Sequence, residues 1–212
     1  MSKFEILETA GPVGKLELIY IPAEGVEKGV AVINHPNPRQ GGTFTNKVIQ
    51  TAAKALSRLG FHCYLPNLRG VGNSEGEHDY GVGETDDCVA VIDFARSRHP
   101  SAPKLVLAGF SFGGYVALFA AQLREPDLLL LIGPAVRHYE RREPDAPDAR
   151  KTLLIHGEID DVVLITQASD WADGQDIPIV MLPKASHFFH GKLIVLRDTI
   201  QRLAPVILNA AE

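Results

Sequence analysis

KLVLAGFSFGGYVALFAAQ, residues 104–122, opens with the unbroken apolar run Leu105–Val106–Leu107–Ala108, which suits a strand buried on both faces of a parallel sheet. It passes through Gly109–Phe110–Ser111–Phe112–Gly113–Gly114 into an Ala- and Leu-rich stretch of high helix propensity. A strand that turns this abruptly into a helix forces its middle residue into a strained backbone conformation. It also crowds the positions on either side, and glycine at 109 and 113 removes the Cβ atoms that would collide. The spacing predicts Ser111 at the tip of a tight turn and at a helix N-terminus, where backbone N–H groups favour developing negative charge. A serine held this way is a candidate nucleophile, provided an acid and a histidine follow to activate it.

Strands and helices alternate on both sides of this run. Lys3 to Thr9 and Lys15 to Ile21 read as strands joined at Gly11–Pro12–Val13–Gly14, an antiparallel hairpin for one sheet edge. Gly29–Asn34 is a third strand, and the proline-rich His35–Pro36–Asn37–Pro38 after it can continue neither as strand nor as helix. A helix is expected over Asn46–Leu59, with Gly60 as its stop, then a strand over His62–Leu65 and a helix over Glu84–Ser97. After the 104–122 run come a strand at Asp127–Ile132, a polar connection Gly133–Arg150 and a strand at Thr152–Ile155. A helix at Val163–Trp171, a strand at Ile177–Leu182 and a helix at Lys192–Asn209 close the chain. This order implies an α/β architecture of about eight mostly parallel strands with helices on both faces, folded as a single domain over residues 1–212. In such sheets the active site gathers at the carboxyl ends of the strands.

Two of those ends carry the missing partners. After the seventh strand comes His156–Gly157–Glu158–Ile159–Asp160–Asp161, and after the eighth Ala185–Ser186–His187–Phe188–Phe189–His190–Gly191. The chain order serine, acid, histidine is thus available with Ser111 as nucleophile and His187 as general base. Glu158, Asp160 and Asp161 compete for the acid, and His190 competes with His187. Phe112, the residue after the nucleophile, supplies one backbone N–H for an oxyanion hole. Asn37, the residue between two prolines that lack an N–H, supplies the other. Phe110, Phe112 and Phe188 are expected to line an open, shallow pocket.

These features recur together in one family. His35–Pro36–Asn37–Pro38, the Arg69–Gly70–Val71–Gly72–Asn73–Ser74–Glu75–Gly76 loop, the Gly109–Gly114 elbow, His156–Gly157 with Asp160, and His187–Phe188–Phe189–His190–Gly191 resemble small bacterial cap-less α/β hydrolases. That family is related to dienelactone hydrolases and acyl-peptidase catalytic domains. The resemblance implies an α/β-hydrolase fold without a cap domain and a serine hydrolase cleaving small carboxylic esters or thioesters. It selects Asp160, third after the glycine of an H-G-x-x-D segment, as the acid, and gives the Arg69–Gly76 loop a structural role. In place of the family's second loop histidine this chain has Asn37. Peptidase or C–C bond hydrolase chemistry on the same residues, or a catalytically silent binding module, stand as alternatives.

Composition narrows the rest. A formal charge of −5 without any basic run argues against nucleic acid or an anionic membrane as partner, and the resemblance implies a small-molecule acyl substrate. The N-terminus carries no signal-peptide pattern, and no apolar stretch approaches membrane-spanning length, so a cytoplasmic protein is expected. Cys63 and Cys88 read as buried thiols, and His62, His78, His99 and His138 as residues without a partner pattern. No metal and no cofactor are expected.

Overall fold

The computed structural model describes residues 4–136 and 144–210. Eight strands form one sheet: β1 (Glu5–Gly11), β2 (Gly14–Ile21), β3 (Gly29–Asn34), β4 (Phe61–Pro66), β5 (Lys104–Phe110), β6 (Leu128–Ile132), β7 (Thr152–Gly157) and β8 (Ile179–Leu182). Their spatial order is β1-β2-β4-β3-β5-β6-β7-β8. The β1–β2 hairpin turns at Gly11 and Gly14 and pairs antiparallel with β4, and every later pair is parallel. This is the α/β-hydrolase fold expected from the sequence.

Period-two alternation along the central strands builds two cores. In β5, Val106, Ala108 and Phe110 face the layer of α1 (Lys47–Arg58) and α5 (Leu193–Ala210). Leu105 and Leu107 face α2 (Val82–Arg98), α3 (Phe112–Leu123) and α4 (Ile165–Asp173). Asn46 caps α1, its side chain accepting from Val48 N at 2.9 Å. Helix α4 begins two residues later than the sequence suggests: its first bonds run from Gln167 N and Ala168 N to Leu164 O, while Val163 O faces His156 Nε2 (2.9 Å). Of the polar connection Gly133–Arg150, residues 137–143 lie outside the described residues, His138 among them. Among the described residues no helix is long and apolar enough to cross a membrane.

The glycine-rich loop after β4 is a hydrogen-bonded knot. Arg69 makes a two-pronged ion pair with Asp87 on α2 (2.9 and 2.7 Å), while Ser74 Oγ donates to Asn67 O (2.6 Å) and accepts from Glu17 N (2.9 Å). Buried Glu17 accepts from Asn67 and from both the backbone and side chain of Asn73. Cys63 and Cys88 are free and buried, and burial pushes the Cys88 thiol up to about 12, so neither is ionised.

Because the Arg69 and Asp87 side chains are 8% and 0% exposed, removing one strands the other. Asp87→Ala should lower the unfolding free energy in urea titrations by about 3–5 kcal/mol, and a double Arg69→Met, Asp87→Leu variant should recover much of that loss. A single variant within 1 kcal/mol (roughly) of wild type would show the pair to be dispensable.

Candidate active site

Ser111 takes φ 54 and ψ −116, one of five non-glycine residues with positive φ among those described. The turn is held from both sides: Ser111 N donates to Ile132 O (3.0 Å), and Ser111 O accepts from Ala135 N (3.1 Å) and Gly114 N (3.0 Å). A Cβ on Gly109 would fall on the Gly113 carbonyl, and one on Gly113 would fall on the Asn34 carbonyl at the end of β3. The two glycines therefore permit the close approach of β5, α3 and β3 that puts the serine at the sheet's carboxyl edge.

Asp160 and His187 meet across the neighbouring strand ends. His187 Nδ1 lies 2.7 Å from Asp160 Oδ2, and both residues are buried, at 2% and 5% exposure. A carboxylate facing Nδ1 fixes the tautomer in which Nδ1 donates, leaving Nε2 as the ring's second site. Asp160 Oδ1 accepts from the backbone amides of Val162 (3.0 Å) and Val163 (2.8 Å). Burial alone would raise the Asp160 carboxyl. The hydrogen bond and charge of His187 and the two amides outweigh it, and the group sits below the usual carboxylate range. Gly133, one residue past the carbonyl that receives Ser111 N, ties this pair to the serine. A Cβ there would lie 3.4 Å from Asp160 Oδ2 and 3.7 Å from His187 Nδ1. Among the described residues no hydrogen bond joins Ser111 Oγ to His187. The competing residues are elsewhere: Asp161 is exposed, Glu158 accepts from Lys184 N (2.7 Å), and exposed His190 stacks on Phe188.

The two expected oxyanion donors sit on adjacent strand ends, since Asn34 of β3 is in register with Gly109 of β5. Phe112 is the first residue of α3, and Asn37 opens a one-turn 3-10 helix, Pro38–Gln40, its side chain accepting from Arg39 N (2.9 Å). His35 locks this loop from below. Its Nδ1 faces Pro36 O (2.7 Å) and its Nε2 accepts from Leu68 N (3.1 Å), while burial pushes its pKa down to about 4, which keeps it neutral.

The pocket expectation needs correcting. Phe110 and Phe112 are fully buried and line no open surface. Strand alternation turns Phe110 into the core under His187, ring centroids 4.7 Å apart, and Phe112 faces the opposite core. Phe188, at 44% exposure, is the aromatic ring at the rim, and exposed Ile159, Val162 and Leu164 stand on the acid-bearing loop. A concavity of about 210 Å³ opens near the far end of α3, lined by Leu118, Gln122, Pro147 and Thr152, away from Ser111.

Three histidines without a partner pattern in the sequence find partners in the fold. His78 Nδ1 lies 2.6 Å from buried Glu84 Oε1, and His62 stacks on His99 at 3.6 Å with an interplanar angle of 15°. With Glu27, the latter two form a group whose ligand-type atoms lie within 4.8 Å of one another. Parallel rings aim their in-plane lone pairs side by side instead of at one point. In addition, His62 Nδ1 accepts from Ala23 N (3.3 Å) and His99 Nε2 meets Tyr64 Oη (2.8 Å). His62 Nε2 has no hydrogen-bond partner and stands 3.3 Å from Glu27 Oε1, but side-by-side rings do not converge on one point as a tetrahedral metal site requires.

Comparison with known proteins bears on the whole chain. Residues 40–154 match the family model Hydrolase_4, described as serine aminopeptidase, S33. An α/β serine hydrolase without a lid from Xanthomonas campestris is 38% identical, with TM-score 0.88 over 95% of this chain and 94% of that one. An α/β serine hydrolase homologue from Coxiella burnetii is also 38% identical, with TM-score 0.84 over 95% and 97% of the two chains. A monoacylglycerol lipase from Mycolicibacterium smegmatis is 28% identical over 173 residues, which span 78% of this chain and 58% of that protein.

A carboxyl whose folded pKa is depressed contributes stability that is present above its unfolded value of about 3.9 and lost as pH falls through the folded value. The urea-midpoint difference between wild type and Asp160→Asn should therefore stay level near pH 5 and shrink steadily below pH 4 (approximately). A difference independent of pH would mean that the native fold does not favour the charged form of Asp160.

Proposed function

The chain belongs to the Hydrolase_4 family of α/β serine hydrolases, and from that premise we propose that it cleaves small carboxylic esters or thioesters through an acyl-enzyme on Ser111. The observation that carries this reading is the buried 2.7 Å Asp160–His187 pair beside the strained serine turn. Ser111 Oγ attacks the acyl carbon while its proton passes to His187 Nε2. The carbonyl oxygen becomes an oxyanion facing the backbone N–H groups of Phe112 and Asn37. Asp160 maintains the Nδ1–H tautomer and stabilises the imidazolium. Collapse of the tetrahedral intermediate breaks the bond to the alcohol or thiol, which leaves with the proton from His187. Water, deprotonated by the same nitrogen, then attacks the acyl-serine and releases the acid, restoring Ser111.

Support for small acyl groups comes from the burial of Phe110 and Phe112; among the described residues, exposed apolar surface near the pair is offered by Phe188 and the short loop after β7. Each buried methylene adds about 0.8 kcal/mol, and only buried ones count. The monoacylglycerol lipase relative fits the same ester chemistry.

Ser111→Ala should abolish turnover and fluorophosphonate labelling without loss of fold, since alanine at the turn adds no bulk. Asp160→Asn should lower kcat by orders of magnitude, about 10⁴ in a well-studied serine protease, with Asp161→Asn and Glu158→Gln close to wild type. Retained esterase activity in the alanine variant would remove the nucleophile assignment, and a crippled Asp161→Asn would move the acid by one residue.

With p-nitrophenyl esters from acetyl to palmitoyl, kcat/KM should climb over the first few carbons and level off by about eight, because further methylenes stay in water. A rise continuing through palmitoyl would require a deep apolar channel.

A further inference from the structure

We propose that His156 is a positioning residue for Asp160: a buried imidazole that clamps the far end of the acid-bearing turn and so sets the carboxylate against His187. The inference rests on reading Asp160 and His187 as the catalytic acid and base.

The turn between β7 and α4 is tied down in two halves. Before Asp160, backbone bonds from Glu158 N to Leu182 O (3.1 Å) and from Ile159 N to Ala185 O (3.0 Å) fasten it to the loop after β8. Beyond Asp160, the side-chain anchor is His156, whose Nε2 lies 2.9 Å from Val163 O. The N–H of that same residue is bound to Asp160 Oδ1 at 2.8 Å. Val163 therefore links the two side chains, its carbonyl to His156 and its amide to the carboxylate. His156 Nε2 also stands 3.5 Å from Asp160 Oδ2, the oxygen that faces His187.

Both atoms near Nε2 are acceptors, so Nε2 carries the ring hydrogen and Nδ1 is bare. Nδ1 is fully buried and has no hydrogen-bond partner. The residue is 0% exposed, one strand position from Ile155 and two from Leu154, where an aliphatic side chain would satisfy the core without an orphaned nitrogen. Burial, which outweighs the carbonyl of Val163 and the charge of Asp160, holds the ring below the usual histidine range. His156 thus donates a hydrogen bond without adding a positive charge that would compete with His187 for the carboxylate.

Glutamine and asparagine separate this role from packing. The glutamine amide reaches about where Nε2 of histidine sits, whereas that of asparagine reaches only the Nδ1 position. His156→Gln should keep kcat near wild type. His156→Asn should lose about 10- to 100-fold in kcat at unchanged KM, the scale of a small misplacement of catalytic groups. Fluorophosphonate modification of Ser111 should slow in parallel, with both variants folded by circular dichroism at the assay temperature. Equal kcat in the two variants, or a loss confined to KM, overturns the clamp. If Asp160→Asn keeps wild-type kcat, the acid assignment and the clamp fall together; if it cripples turnover while His156→Asn does not, the clamp alone falls. On the wild-type protein, ¹H–¹⁵N spectra at about pH 8 should show His156 as the neutral Nε2–H tautomer. A protonated ring or the Nδ1–H tautomer overturns the proposal even if a variant fails to fold.

Discussion

The positive φ of Ser111 is the constraint on which the rest of the structure depends. A non-glycine residue in that region costs on the order of 1–3 kcal/mol and survives only where its surroundings over-determine it. Here they do: β6 receives its amide, its own carbonyl takes the amides of Gly114 and Ala135, and glycines at 109 and 113 let three elements approach to backbone contact. The same contacts set the depth of α3 against the sheet and bring Gly133 against the Asp160–His187 pair. Reactive geometry and core packing are in this respect one arrangement.

Burial sorts the histidines. His35, His156 and His187 are all nearly inaccessible, yet their partners differ. His35 is bounded by a carbonyl and a backbone amide and is neutral. His156 meets a carbonyl and, further off, a carboxylate oxygen already shared with His187. Among the three, His187 alone faces a carboxylate at hydrogen-bonding distance. Asp160, with two amides on one oxygen and an imidazole on the other, stays charged despite burial because these three hydrogen bonds replace water.

Much of the fold was legible because its signals are local. Continuous apolar runs mark β3, β5 and β6, proline and glycine mark the loop after β3, and Asn46 marks the start of α1. The start of α4 is not legible locally, because Val163 is apolar and helix-compatible and its carbonyl is engaged by His156, a residue of the preceding strand. The pocket lining is likewise set beyond the local sequence. Phe110 and Phe112 flank the serine in sequence, but strand alternation and the turn into α3 send their rings into opposite cores.

By itself, the order of residues determined the strand–helix succession, the glycine pair that makes a tight serine turn possible, and an acid and a histidine at successive strand ends. Each depends on chemistry within a few residues, where propensity and sterics act. The tertiary structure decided which carboxylate of three meets His187, that Phe110 supports that ring from beneath, and that His62 finds His99. These depend on strand order and side-chain direction, which place residues distant along the chain within a few ångströms, a relation that no local pattern encodes.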